Sequence, residues 1–437
     1  MKKHLILPAL SALLFFTGTH AQSINNAAQP VRLTLEECLD IAMGNNYSRQ
    51  LVLLDESSRE ASLEQAKTER WPNLTANLGE NFSDTKAGGS TWSGNYDLST
   101  NITVYQGGQI NNTIKQNRQQ VEQTRLQTRR YDNDLVIRIL QSFLTVIGNE
   151  ELLKYQQAVV NASERQAAEG KARFEAGQII ESDYLLLEAQ YATDLDNITS
   201  TRITRDNSLV ALKNLMSMDL AQPVELVYPD DALLESLLDL PTESEVVERG
   251  METMPEVRIS DYNVEIAETG LKLAKTSYFP TVSMNAGVGT GHIRDFDSYG
   301  KQLGDRFGPS AGVSVSIPIF SRNKTRTNVA QSRIALRQAE LDRKQSLSDI
   351  EQSLINEYGN VVASGSKYRA SEIKRKAYFS SYEAYTEMFG AGAITTVELL
   401  QQQNSYISAM NDYINNKYTF LLQRKVLDVY MGEPVKM

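Results

Sequence analysis

Few residues in this chain could do covalent or metal chemistry. His292 is the only histidine beyond the first 21 residues, because His4 and His20 both lie in the leader-like start of the chain. It follows the third alternating segment, where a loop is expected. Cys38 is the only cysteine, so no internal disulfide can form. Leu35 and Ile41 lie three residues to either side, the spacing at which Cys38 would pack as a small apolar residue on a helix. Gly287, Gly289 and Gly291 alternate, but within a strand-like segment that opens no helix, so they do not read as a phosphate loop. No Cys/His cluster, P-loop or nucleophile with an adjacent base can be assembled, which implies no enzyme, no cofactor and no metal site. Two acids, Asp183 and Glu398, follow glycine turns at corresponding places in the two halves of the chain. They could line an aperture and favour cations there, or they could be ordinary acids at a helix start.

The elements that position these residues follow from charge, repeats and periodicity. Residues 1–21 read as a signal peptide: Lys2 and Lys3, an apolar run from Leu5 to Phe16, then Thr19-His20-Ala21. Removing them deletes two lysines and no acid, so the formal charge of −10 becomes −12. That balance disfavours nucleic acid. No later segment has the roughly 18 uninterrupted apolar residues of a spanning helix.

The chain is an internal duplicate. Ala66-Lys67-Thr68 with Trp71-Pro72 returns 208 residues later as Ala274-Lys275-Thr276 with Phe279-Pro280. Further on the offset is 215, pairing Tyr105 with Phe320, Gly177 with Gly392 and Asp183 with Glu398. Seven extra residues therefore lie between Gly287 and Phe320. The duplication divides the mature chain into repeats at 22–240 and 241–437.

Each repeat carries two segments of period two, expected at about 74–84 and 95–105, then 281–290 and 310–320. In the first, Leu74, Ala76, Leu78 and Phe82 oppose Thr75, Asn77, Asn81 and Ser83. This is the length and alternation of barrel strands with greasy outer and wet inner faces, although a soluble sheet with one wet face shares the pattern. Trp71, Tyr105, Phe279 and Phe320 fall at the strand ends nearest the helices, where they could form an interfacial girdle, staple the strands to the helices, or do both. Membrane barrels begin at about eight strands, so four demand companion subunits. No proline interrupts the stretches from Pro72 to Pro223 or from Pro318 to Pro434. Helices of about 65 residues, roughly 100 Å long, are expected there. Their apolar residues, such as Leu140, Phe143 and Ile147, form a narrow coiled-coil seam.

On these features the chain resembles the TolC-like outer-membrane efflux family. The resemblance rests on Leu33-Thr34-Leu35-Glu36-Glu37 through Asn45-Asn46, and on two tips. The first, near 174–182, reads Arg173-Phe174-Glu175-Ala176-Gly177 with Ser182-Asp183. The second, near 389–396, reads Met388-Phe389-Gly390-Ala391-Gly392 with Val397-Glu398. The resemblance implies a mainly α chain with membrane β: a homotrimer whose twelve-stranded β-barrel, four strands per protomer, continues as a long α-helical coiled-coil barrel. It implies a seat in outer-membrane lipid and a tunnel reaching into the periplasm. It further implies docking of the tip, around Phe174, Gly177, Phe389 and Gly392, onto a periplasmic adaptor served by an inner-membrane transporter. Residues near Pro223 to Pro241 would belong to an equatorial region. Family members often lock the tip by joining an acid in the first repeat to a tyrosine and an arginine in the second. Asp183 matches the acid, but the tyrosine position is Phe389, the arginine position is Ile394 and a second acidic position is Gln401. That ion-pair lock is therefore missing. The function expected is passive export through an outer-membrane duct. The rival reading is a structural or adhesive surface protein, binding through the hairpin loops Asp84 to Gly94 and Gly291 to Pro309.

Overall fold

A computed structural model describes residues 30–86, 89–228, 237–293 and 299–435. The signal-peptide segment 1–21 and residues 229–236 of the expected equatorial region lie outside the described residues. Nine described helices and six strands run in the order β1 (Val31–Leu33), α1 (Leu35–Asn45), α2 (Tyr47–Thr68), β2 (Asn73–Thr85), β3 (Gly89–Gln106), α3 (Gln109–Glu175), α4 (Glu181–Leu215) and β4 (Val224–Leu226). They continue as α5 (Glu243–Thr253), α6 (Pro255–Thr276), β5 (Thr281–Ile293), α7 (Tyr299–Asp305), β6 (Gly308–Ser316), α8 (Lys324–Gly390) and α9 (Thr396–Tyr430).

The duplication is written in helix lengths. α1 and α5 have 11 residues each, α2 and α6 have 22, α3 and α8 have 67, and α4 and α9 have 35. β5 starts and stops 208 residues after β2, whereas α8 starts 215 after α3, so the extra residues lie in the β5–β6 connection. The 7-residue helix α7 lies in that connection. At 1.5 Å per residue, α3 and α8 each extend about 100 Å.

Local chemistry marks the boundaries. Thr34 and Glu37 form a capping box that starts α1, with Thr34 N–H donating to Glu37 Oε2 at 2.8 Å. Pro255 occupies the first turn of α6, where its missing N–H costs nothing. Between β3 and α3 the chain turns through two left-handed residues, Gly107 and Gly108. The second repeat makes the same turn with Arg322 and Asn323, at φ 47° and 65°.

The main core lies halfway along the helices. Leu135, Ile139, Leu140, Phe143 and Ile147 of α3 pack with Ile414, Phe420, Leu421 and Leu427 of α9, and with Leu35 and Cys38 of α1. β1 pairs in parallel with β4 beside this level. Cys38 is fully buried, and burial, followed by the nearby Glu37 charge, pushes its thiol pKa up to about 12. Glu151 accepts from Lys417 Nζ at 3.0 Å and from the Tyr418 hydroxyl at 2.5 Å, a largely desolvated cluster joining α3 to α9.

The second sheet is an antiparallel meander in the order β2-β3-β5-β6. Three expectations need correction. The first hairpin has no long loop: β2 runs to Thr85 and β3 begins at Gly89, so most of 84–94 is strand. His292 sits within β5 and not in a loop, paired with Gly94. The last strand ends at Ser316 and not near 320, because Pro318 has no N–H to continue the ladder. Phe320 lies beyond the strand and is 83% exposed.

Candidate functional site

Each tip ends a 67-residue helix in the same way. Gly177 takes φ 72° and donates to the Phe174 carbonyl at 2.9 Å, while Gln178 N–H reaches the Arg173 carbonyl at 2.8 Å. Gly392 repeats this at φ 72°, with Gly392 to Phe389 at 3.0 Å and Ala393 to Met388 at 2.9 Å. These paired bonds are the Schellman closure, which needs a left-handed residue after the helix. A Cβ at either glycine would meet nothing within 4 Å, so conformation alone selects glycine.

The two acids differ in their surroundings. Glu398 closes a capping box: its Oε2 accepts the Thr395 N–H at 2.8 Å and the Thr395 hydroxyl at 2.9 Å, while Thr395 Oγ1 accepts the Glu398 N–H at 3.3 Å. The Thr395 N–H, followed by its hydroxyl, holds the Glu398 carboxyl below the ordinary glutamate range. Asp183 occupies the same helical position, but its cap residue is Ile180, which has no capping side chain, and Asp183 is half-buried. Glu398 is thus a cap by geometry.

The structure joins the tips through contacts that residue spacing does not reveal. The Arg173 guanidinium lies over the Phe389 ring, 5.3 Å from its centroid, linking the first-repeat tip to the second. Arg173 also pairs with Glu169 at 2.5 Å. Phe174 stacks on Tyr184 across the first turn, with centroids 5.9 Å apart and planes 7° from parallel. Ile394 is half-buried and Gln401 exposed. The Thr395-x-x-Glu398 spacing was the available signal for the capping box. Arg173 stands within the quoted tip motif, but nothing in the sequence spacing pairs it with Phe389.

At the other end of the molecule the sheet has two chemically distinct faces. One carries Leu74, Leu78, Met284, Val313 and Val315, all exposed, with Leu78 at 80%. The other carries Asn, Ser, Thr and Gly. Among the described strand residues Asp97 is its only charged side chain, opposite Asn77 on β2 and Gly289 on β5. Asn77 Nδ2 donates to Asp97 Oδ2 at 2.9 Å, and Asn95 Nδ2 to Oδ1 at 3.3 Å. Trp71, Tyr105 and Phe279 stand exposed where the sheet meets the helices. Phe279 lies so close to Gly107 that a Cβ there would meet Phe279 Cβ at 2.6 Å. The outer edges of β2 and β6 have no partner strand among the described residues. No described helix is long and apolar enough to cross a membrane. No group of three or more His, Cys, Asp or Glu among the described residues could hold a metal.

Comparison with known proteins agrees over both repeats. A family model described as outer membrane efflux protein matches residues 40–217 and 249–433. Outer membrane protein TolC of Vibrio cholerae is 21% identical over 293 residues, covering 66% of this chain and 65% of that protein. The chain thus spans just under two thirds of that relative's length. The cobalt-zinc-cadmium resistance protein CzcC of Cupriavidus metallidurans is 22% identical over 412 residues, covering 91% of this chain and 90% of that protein. Among solved structures, CusC, described for its conformational changes on folding and transmembrane channel formation, aligns with TM-score 0.79 at 15% identity. That alignment covers 92% of each chain.

Proposed function

The chain belongs to the outer membrane efflux protein family, and from that premise we propose that it is a passive export duct, seated in the outer membrane and reaching into the periplasm. The observation that carries this reading is the four-stranded sheet with one exposed apolar face and two edges unpaired among the described residues, continuous with helices about 100 Å long. In hydrocarbon an unpaired strand edge costs several kcal/mol for each backbone group left without a partner. Three copies of the four-stranded sheet, β2 of one beside β6 of the next, close a twelve-stranded barrel and remove every edge. The polar face then lines the lumen, and the helices of the three copies continue the wall.

Energy for transport comes from elsewhere, because a duct of this kind performs no chemical step. An inner-membrane transporter would deliver cargo through a periplasmic adaptor seated on the helical tips. The turns shaped by Gly177 and Gly392, with Phe174, Phe389 and Ile394 beside them, would form that docking rim. Asp183 and Gln401 would stand near the aperture. The rival adhesive role has no observation in its favour.

The test is deletion and complementation in a host that loses efflux or secretion. Restoration by the intact chain, and not by a form lacking β2 and β3, is expected. Adhesion lost while export stays intact would overturn the reading.

A further inference from the structure

Side chains on the apolar face fall into rows set by the strand register. The row nearest the helices holds Tyr105, Val282 and Val315. Moving away from the helices, no charged side chain appears on this face until Glu80, Gly94 and His292 come into line. Just before them stand Leu78, Tyr96 and Thr290.

At that level the greasy wall ends in a network. Glu80 accepts from Trp92 Nε1 at 2.6 Å, accepts from the Tyr96 hydroxyl and lies 3.2 Å from His292 Nε2. Glu80 is on β2 and His292 on β5, with β3 between them. They touch because the intervening residue is Gly94: a Cβ there would stand 2.6 Å from Glu80 Oε1 and collide with the imidazole. The helix α7 is seated on the same patch. Its Tyr299 ring lies 4.7 Å from the His292 ring, and Tyr299 and Tyr96 share a hydroxyl contact at 3.1 Å. Ile293 N–H donates to Gln302 Oε1 at 2.8 Å, and the Thr290 hydroxyl donates to the Leu303 carbonyl.

The distance to this network matches the height of a bilayer core. Val282 to Thr290 is eight residues, about 27 Å along a strand at ~3.4 Å per residue. Continuing to His292 gives about 34 Å. Tilted by ~40°, as in outer-membrane barrels, these become about 21 and 26 Å, around the ~25 Å apolar band of such barrels. A carboxylate and an imidazole are out of place in hydrocarbon but cost little at its edge, where tryptophan and tyrosine also concentrate.

We infer that the Glu80 network and α7 form a second, outer belt that seats the barrel against the headgroup layer of the lipid. The acyl chains meet the wall only between this belt and the girdle of Trp71, Tyr105 and Phe279. This inference rests on the channel reading.

The chain has only two tryptophans, Trp71 and Trp92, one for each belt. Trp92→Phe and Trp71→Phe therefore give forms that each report one belt. Each is reconstituted in phosphatidylcholine vesicles with bromines placed near the headgroups or near the chain ends, and fluorescence quenching is read. Both tryptophans are expected to be quenched more strongly by the shallow bromines than by the deep ones. Trp92 left unquenched while Trp71 responds would overturn the outer belt and leave the channel reading standing. Stronger quenching of Trp92 by deep bromines would also overturn it. If neither tryptophan is quenched, the chain is not in the bilayer, and the channel reading fails with the inference. Gly94→Val, which separates Glu80 from His292, is expected to change the quenching of Trp92 and leave that of Trp71 unaltered. An unchanged Trp92 there would count against the network.

Discussion

Arg173 and Phe389 come from opposite repeats and meet at the tip, guanidinium over ring at 5.3 Å. Phe389 fills the position where the resemblance places a tyrosine, and its ring makes a cross-repeat contact there. Both residues are half-buried, so the pair lies between the ~0.5–1 kcal/mol of an exposed cation–π contact and the ~2 kcal/mol of a desolvated one. Arg173→Ala should therefore loosen the tip modestly, read as a broader spin-label distance distribution between residues placed on the two turns. Phe389→Tyr should leave that distribution unchanged, because the aromatic face remains.

Positive φ separates the repeats at one turn and unites them at another. Gly177 and Gly392 both hold φ 72° with open space around them, so alanine at either would be strained by about 1–2 kcal/mol without any clash. Faster amide exchange in the last turn of α3 or α8 is the expected readout. The reverse substitution is expected to help elsewhere. Arg322 occupies φ 47° where the first repeat has Gly107, so Arg322→Gly should raise unfolding stability by about 1 kcal/mol, measured as a shift in thermal midpoint.

Asp97 is the lone charge on the polar strand face among the described residues. In a trimer three such carboxylates form a ring at one level of the lumen, which favours cations. Asp97→Asn is expected to lower cation-over-anion selectivity, measured by reversal potential in a planar bilayer. The effect should be largest below about 0.1 M salt, where screening extends beyond ~10 Å. Unchanged selectivity would remove Asp97 from the permeation path.

Glu398 gives the second tip a pH dependence. Its folded pKa lies below the ordinary value because Thr395 donates to the carboxylate. The stabilisation is therefore present above the ordinary glutamate pKa of about 4.3 and lost as pH falls through the lower folded value. Amide protection in the first turn of α9 should fall in that acidic range, and Glu398→Gln should abolish the transition.

Helices and strands were legible where periodicity and proline placement decide them. The 67-residue α3 and α8 follow from proline-free stretches, and the buried Leu140, Phe143 and Ile147 from their spacing. Strand ends were less legible, because hydrophobic alternation fades where the sheet leaves its apolar zone. Glu80 and His292 break the pattern, yet both remain in register because Gly94 lets them pair across β3. At the tips, the glycine turns announced themselves by residue type. The Arg173–Phe389 contact did not, since it joins residues 216 positions apart whose meeting depends on how two hairpins pack.

The most direct measurement is the native mass of the full-length protein extracted in detergent from an outer membrane. An assembly of three chains is expected, because the outer edges of β2 and β6 have no partner strand among the described residues and neighbouring copies can pair them. A single chain that persists in detergent with a folded sheet would contradict the account.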